Sequence, residues 1–244
     1  MSKTSTPTSI LEHIEELRKR LLRALIALAA GTVISAIFTP RFLEWLARPV
    51  GGLENLEAIE VTENVGVFMQ VALLGGVTLA MPAIVYQMWR FVEPGLLQRE
   101  KRYIYLLAPF ATLLFISGAA FAYFVMLPSA IPFLVGFMSI PTRPRPANYI
   151  SFITNLLFWI GISFETPLVV FFLAKVRLVS PRTLVHGWRV AIILIAVLAA
   201  AVTPTPDPVN MGLVMLPLMV LYGLSIVLAW IAYRPPKPEP EPET

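Results

Sequence analysis

Charge-free apolar runs recur along the chain, at Ala24–Pro40, Asn64–Trp89, Tyr103–Thr142, Pro146–Phe164, Val190–Pro206 and Pro208–Tyr233. A run long enough to cross about 30 Å of hydrocarbon reads as a membrane helix, so the pattern predicts an all-α integral membrane protein with six transmembrane helices. The expected spans are approximately 22–39, 67–89, 104–127, 151–174, 189–203 and 209–230. Pro128, Pro132 and Pro141 interrupt the long Tyr103 run, so its helix is expected to end near Leu127. The remainder, to Asn148, then reads as an extended, stiff, proline-rich cap. The fourth span continues past Glu165 to Ala174. The fifth is short: Val190 to Thr203 is 14 residues, about 21 Å at 1.5 Å per residue. It either begins earlier or thins the bilayer around it.

Between the runs, the basic residues are unevenly shared. One side receives Lys3, Arg18, Lys19, Arg20, Arg23, Arg90, Arg99, Lys101, Arg102, Lys175, Arg177, Arg182, Arg189, Arg234 and Lys237; the other receives Arg41, Arg48, Arg143 and Arg145. Cytoplasmic loops carry the excess of Lys and Arg, which predicts both termini inside. The same asymmetry accounts for the net charge of +4 without a nucleic-acid partner. The first external segment holds Glu44, Glu54, Glu57, Glu60 and Glu63 with Pro49, Gly51 and Gly52, and is expected to form short helices and turns. Residues 1–233 read as a single membrane domain. The tail at 234–244, PPKPEPEPET after Arg234, reads as a disordered cytoplasmic extension.

Composition narrows the class further. The chain of 244 residues is 57% hydrophobic and 14% charged, against about 25% charged in soluble domains. With no cysteine, thiol nucleophiles, disulfides and cysteine metal sites are excluded. His13 and His186 each lack a neighbouring ligand set, so no metal or other cofactor is expected. No HExxH, GxSxG or Walker A pattern occurs, which argues against an enzyme. A secondary transporter using Glu165 as a proton carrier is a rival, weakened by the absence of an internal repeat. Charges crowd Met1–Leu21 where a signal peptide would need an apolar core.

Two places carry candidate chemistry. Ser9 and Glu12 form a capping-box spacing that starts a helix near Ile10. On it, Ile10, Leu11, Ile14, Leu17, Leu21 and Leu22 share one arc, with Glu12, Glu15, Glu16, Lys19, Arg20 and Arg23 opposite. Arg18 interrupts the apolar arc. It either snorkels to headgroups, with Glu15–Lys19 and Glu16–Arg20 as ordinary helix pairs, or joins a docking surface. Glu165 is the ionisable residue inside a span, beside Pro167, whose missing N–H frees the Ser163 carbonyl. It either plugs the kinked helix as a neutral acid or forms a polar patch for a partner. Asp207, in the PTPDP turn, caps the last helix or anchors the turn at the external side.

HIEELRKRL at 13–21 resembles the N-terminal motif of the TatC family, the multispanning subunit of the twin-arginine, Sec-independent protein translocase. YQMWRFVEPGLLQREKR at 86–102 is similar to that family's first cytoplasmic loop, AFAYFVMLP at 120–128 to its third span, SFETPL at 163–168 to its fourth, and VTPTPD at 202–207 to its last external turn. The resemblance implies a receptor in the bacterial cytoplasmic (inner) membrane, working with the proton-motive force to export folded proteins. Its implied partners are twin-arginine signal peptides, single-span TatA/TatB-type subunits, further copies of itself and the bilayer. It also implies that Glu16 and Glu100 recognise the two arginines, since each carboxylate can accept a guanidinium fork. Arg18, Arg20, Lys101 and Arg102 would hold these carboxylates ionised and reject weakly cationic peptides. Phe91, Pro94, Gly95 and Leu96 would shape the loop, and Glu165 would meet a polar group of a partner helix or signal peptide.

Overall fold

In the computed structural model, residues 10–92, 101–136, 143–203 and 208–233 are described. The first apolar run becomes helix α1, Ile10–Ala47, far longer than the expected span. Its Pro40 sits inside the helix, where the missing donor costs one backbone bond. Side-chain hydroxyls bond within the same stretch, Thr39 Oγ1 donating to the Ser35 carbonyl at 3.0 Å. Two 3₁₀ turns follow, Arg48–Val50 and Leu53–Asn55, as the glycine and proline content of this segment led one to expect. Gly51 and Gly52 join them at φ 93° and 113°, a region that residues with a Cβ avoid.

Helix α2, Glu63–Val92, returns antiparallel to α1. The two helices touch along a stripe of small residues. Gly31, Ser35 and Thr39 are buried one turn apart, and a Cβ on Gly31 would lie 2.7 Å from the Gly76 carbonyl oxygen. Small residues at this spacing let backbones approach closely, so that dispersion can hold helices together where lipid removes the hydrophobic drive.

Helix α3, Lys101–Phe121, does not end near Leu127 as the prolines suggested. It runs through one π-helical turn, Ala122–Met126, into α4, Leu127–Gly136. The Leu127 N–H donates to Ala122 O, five residues back. That wide turn precedes Pro128 and absorbs the donor and the space that its ring removes. The expected proline-rich cap is thus largely helix; in its described remainder only residues 143–145 are non-helical. The fourth apolar run forms α5, Pro146–Phe164, and α6, Thr166–Lys175, which meet at Glu165. Helix α3 crosses α5 through paired exchanges of ring and glycine: Phe115 covers Gly161 and Phe164 covers Gly118.

A short helix α7, Pro181–His186, capped by Ser180, leads to α8, Trp188–Val202. Helix α8 has 15 residues, so the fifth apolar element is short, as expected. The last helix, α9, is Pro208–Ala232. Among the described residues five helices are long and apolar enough to cross a membrane, with α8 a shorter apolar helix beside them. The main core gathers around α5, with Ile150, Ile153, Leu156 and Ile160 against Met126 and Leu127. A second core of Met81, Val85, Trp89, Phe115 and Phe172 ties α2, α3 and α6. The expected Ser9 cap, Asp207 and the tail at 234–244 lie outside the described residues.

Candidate functional site

The alternation of helices sorts the polar chemistry to two ends. At one, the acidic-loop end, three connections lock the helix tips. Tyr123 OH donates to the Trp45 carbonyl at 2.7 Å while its ring stacks on Trp45, and Tyr149 OH donates to the Leu46 carbonyl at 3.0 Å. The third is the buried carboxylate of Glu63 at the start of α2. It accepts the backbone N–H groups of Ile59 at 3.2 Å and Ala147 at 3.1 Å, while Arg145 reaches it at 3.3 Å and Glu60 at 3.1 Å. Hydrogen bonds first to Glu60 and then to Glu63 raise the Arg145 guanidinium above its ordinary value. One carboxylate therefore ties the loop before α2 to the first turn of α5, whose orphan N–H groups favour negative charge. Reading the sequence missed this pairing; the acidic loop was visible in it, the partner was not.

The opposite, basic end collects the first turns of α1, the last of α2 and the start of α3. Glu16 and Arg20 form an ion pair along α1, with Arg20 Nε 3.0 Å from Glu16 Oε1. Their side chains are 32% and 15% exposed, whereas Glu15 and Lys19, paired at 2.7 Å, are each 64% exposed. The Glu16 carboxylate is thus the more sheltered of the two, already oriented by one guanidinium. Arg18 is exposed. The apolar arc that it interrupts is also uncovered: Ile14, Leu17, Leu21 and Leu22 are all about half exposed. Phe91 is half-buried at the end of α2. Lys101 opens α3. Pro94 and Glu100, expected at this site, lie outside the described residues, so the structure places Glu16, Arg18, Arg20, Phe91 and the Lys101 backbone at one end and leaves the second carboxylate aside.

Glu165 occupies the junction of α5 and α6. Its backbone N–H donates to Ile162 O at 3.0 Å, three residues back, and its carbonyl accepts from Val169 N at 3.0 Å, so the turn tightens at the junction and the four-residue pattern resumes in α6. The side chain is buried at 9% exposure, and Oε1 has no hydrogen-bond partner. A neutral plug would donate to a freed carbonyl nearby, and Oε1 makes no such bond. Gln87 Oε1 and Trp89 Nε1, near the basic end of α2, are likewise buried without partners. Both are neutral polar groups inside an apolar run and carried no charge signal by which the sequence could have singled them out. Buried polar atoms left unmatched are costly, and their persistence points to use.

No cluster of His, Asp and Glu able to hold a metal occurs among the described residues. What the fold defines is a multi-pass α-helical membrane protein. Residues 12–217 match the family model for TatC, the Sec-independent protein translocase protein. The TatC of Carboxydothermus hydrogenoformans is 37% identical over 226 residues, covering 91% of this chain and 93% of its own. That of Aquifex aeolicus is 35% identical over 237 residues, covering 93% and 97%. A crystal structure of the twin-arginine translocase receptor TatC superposes with a TM-score of 0.81 at 36% identity, over 91% of this chain and 100% of that one. The chain belongs to the TatC family. It is therefore a Sec-independent protein translocase subunit, a multi-pass membrane protein and not an enzyme.

Proposed function

We propose that this subunit is the receptor that captures the twin-arginine motif of signal peptides at the basic end, which is the cytoplasmic one, and hands the cargo to a translocase driven by the proton-motive force. The observation that carries the reading is the sheltered Glu16 carboxylate, pre-oriented by Arg20 beside uncovered apolar side chains. An incoming arginine takes the free Oε2 of that carboxylate and shares Oε1 with Arg20 in a bidentate bond, and a signal peptide's apolar segment covers Ile14, Leu17 and Leu21. Glu100 takes the second arginine, with Phe91, Pro94 and Lys101 shaping the loop and Arg18 setting a threshold against weakly cationic peptides. A twin-lysine peptide binds less well, because an ammonium cannot bond the carboxylate through two parallel N–H groups.

The apolar runs and the basic-residue count together support six spans with both termini in the cytoplasm, with α8 as the short fifth span and residues 1–233 as one domain. Single-span TatA/TatB-type subunits and further copies of this chain complete the assembly in the cytoplasmic membrane, and Glu165 offers its unmatched carboxyl to a polar group of one such helix or of the inserted signal peptide. Asp207, outside the described residues, is the candidate to cap the last helix or anchor the external turn before it.

Photocrosslinking of a twin-arginine peptide to Glu16→Lys and Glu100→Lys proteins tests the recognition site. Each reversal is expected to abolish crosslinking while the protein still inserts and melts normally. Undiminished crosslinking in both variants removes these two carboxylates from the site.

A further inference from the structure

A groove of about 390 Å³ opens on the membrane face between α1, α2 and α5. It is edged with four hydrogen-bonding side chains, Gln70, Ser151, Thr154 and Asn155, and lined by apolar residues that include Val77 and Phe158. Thr154 is satisfied by the Ile150 carbonyl at 2.7 Å. The two amides are not. Gln70 is exposed and bonds to no other described residue, and the exposed Asn155 reaches only Ser151 Oγ, at 3.5 Å.

Their depths match. The Glu63–Ala147 hydrogen bond holds the starts of α2 and α5 level. Gln70 lies seven residues beyond Glu63 and Asn155 eight beyond Ala147, which sets them about 10 and 12 Å down parallel helices. Both amides therefore stand well inside the apolar stretch, side by side at one level. Acyl chains offer neither donor nor acceptor there, and the medium leaves such groups unmatched.

We infer that this groove is a docking site for a membrane-spanning helix of a partner subunit, one that carries a single polar side chain about 12 Å from its outer end. The inference stands apart from the peptide-recognition reading, since it uses neither Glu16 nor Glu100. Apolar residues of the guest helix fill the floor at Val77 and Phe158, and its polar group bonds both amides at once. The concavity argues against a second copy of this chain: Gln70 and Asn155 line a recess, so the same amides of a symmetry mate sit too deep to meet them.

The test uses the full-length protein in lipid nanodiscs with a photoreactive residue at Leu73, a half-exposed wall of the groove. The probe is a Leu/Ala transmembrane peptide of about 20 residues, either fully apolar or with one Asn placed about 12 Å from its outer end. The Asn peptide is expected to crosslink about three- to thirtyfold more than the apolar one, the range spanned by interhelical polar contacts. Combined Gln70→Leu and Asn155→Leu substitution is expected to remove that preference with no fall in melting temperature. Should the double variant not fold, Gln70→Leu alone is expected to reduce the preference and Gln70→Asn to keep it. Equal crosslinking of the two peptides, preference surviving the leucine substitutions, or self-crosslinking of this chain from Leu73 in place of peptide capture each overturns the proposal.

Discussion

Replacing Gly76 with alanine tests the close crossing of α1 and α2. A Cβ built there meets Thr32 Oγ1 at 2.3 Å, Thr32 Cα at 2.6 Å and Thr32 N at 2.7 Å. Two of these are backbone atoms, so a rotamer change of Thr32 does not relieve the overlap. Comfortable contact between non-bonded carbons begins at about 3.5 Å, so α1 and α2 must part by about 1 Å at the crossing. A gap of that size forfeits a quarter to a half of each affected dispersion contact along the Gly31, Ser35, Thr39 stripe, and overpacking of this kind costs about 1–3 kcal/mol. At about 2–4 °C per kcal/mol for a domain of this size, the melting temperature falls by about 2–12 °C. Gly223→Ala is the control: its Cβ has no neighbour within 4 Å, and alanine is the better helix former by about 1 kcal/mol. Thermal unfolding in detergent, followed by the helical circular dichroism band, reads both. If Gly76→Ala melts alongside Gly223→Ala, the argument from close backbone approach is wrong.

The acidic-loop end offers a milder test: Tyr123→Phe and Tyr149→Phe each leave a helix-end carbonyl of α1 unpaired and are expected to cost about 0.5–1.5 kcal/mol, seen as lower melting temperatures with unchanged insertion. At Glu165, substitution by Gln keeps a hydrogen-bonding side chain and by Ala removes it. Loss of crosslinking to partner helices in the Ala variant, at normal melting temperature, supports a contact role. A fall in stability alone returns Glu165 to a plug for the α5–α6 junction.

The chain's own pattern was sufficient to place the apolar helices, the shortness of α8 and the break at Glu165. Hydropathy and charge are properties of single residues that add along a segment, so a linear reading captures them. Local pairing was legible for the same reason, and Glu16 with Arg20 follows from helical spacing alone. The third span was misread because proline's local rule was applied without its remedy: the π turn at Ala122–Met126 lets the helix pass Pro128 and continue to Gly136. Helix α1 also outruns its expected span, continuing through Pro40 to Ala47. Only the tertiary structure decided that Glu63 serves Ala147, 84 residues away, that Gly76 meets Thr32, and that Gln70 and Asn155 share one groove. Those pairings depend on the register and rotation of one helix against another, set by where small residues let backbones close in, and no single segment encodes them.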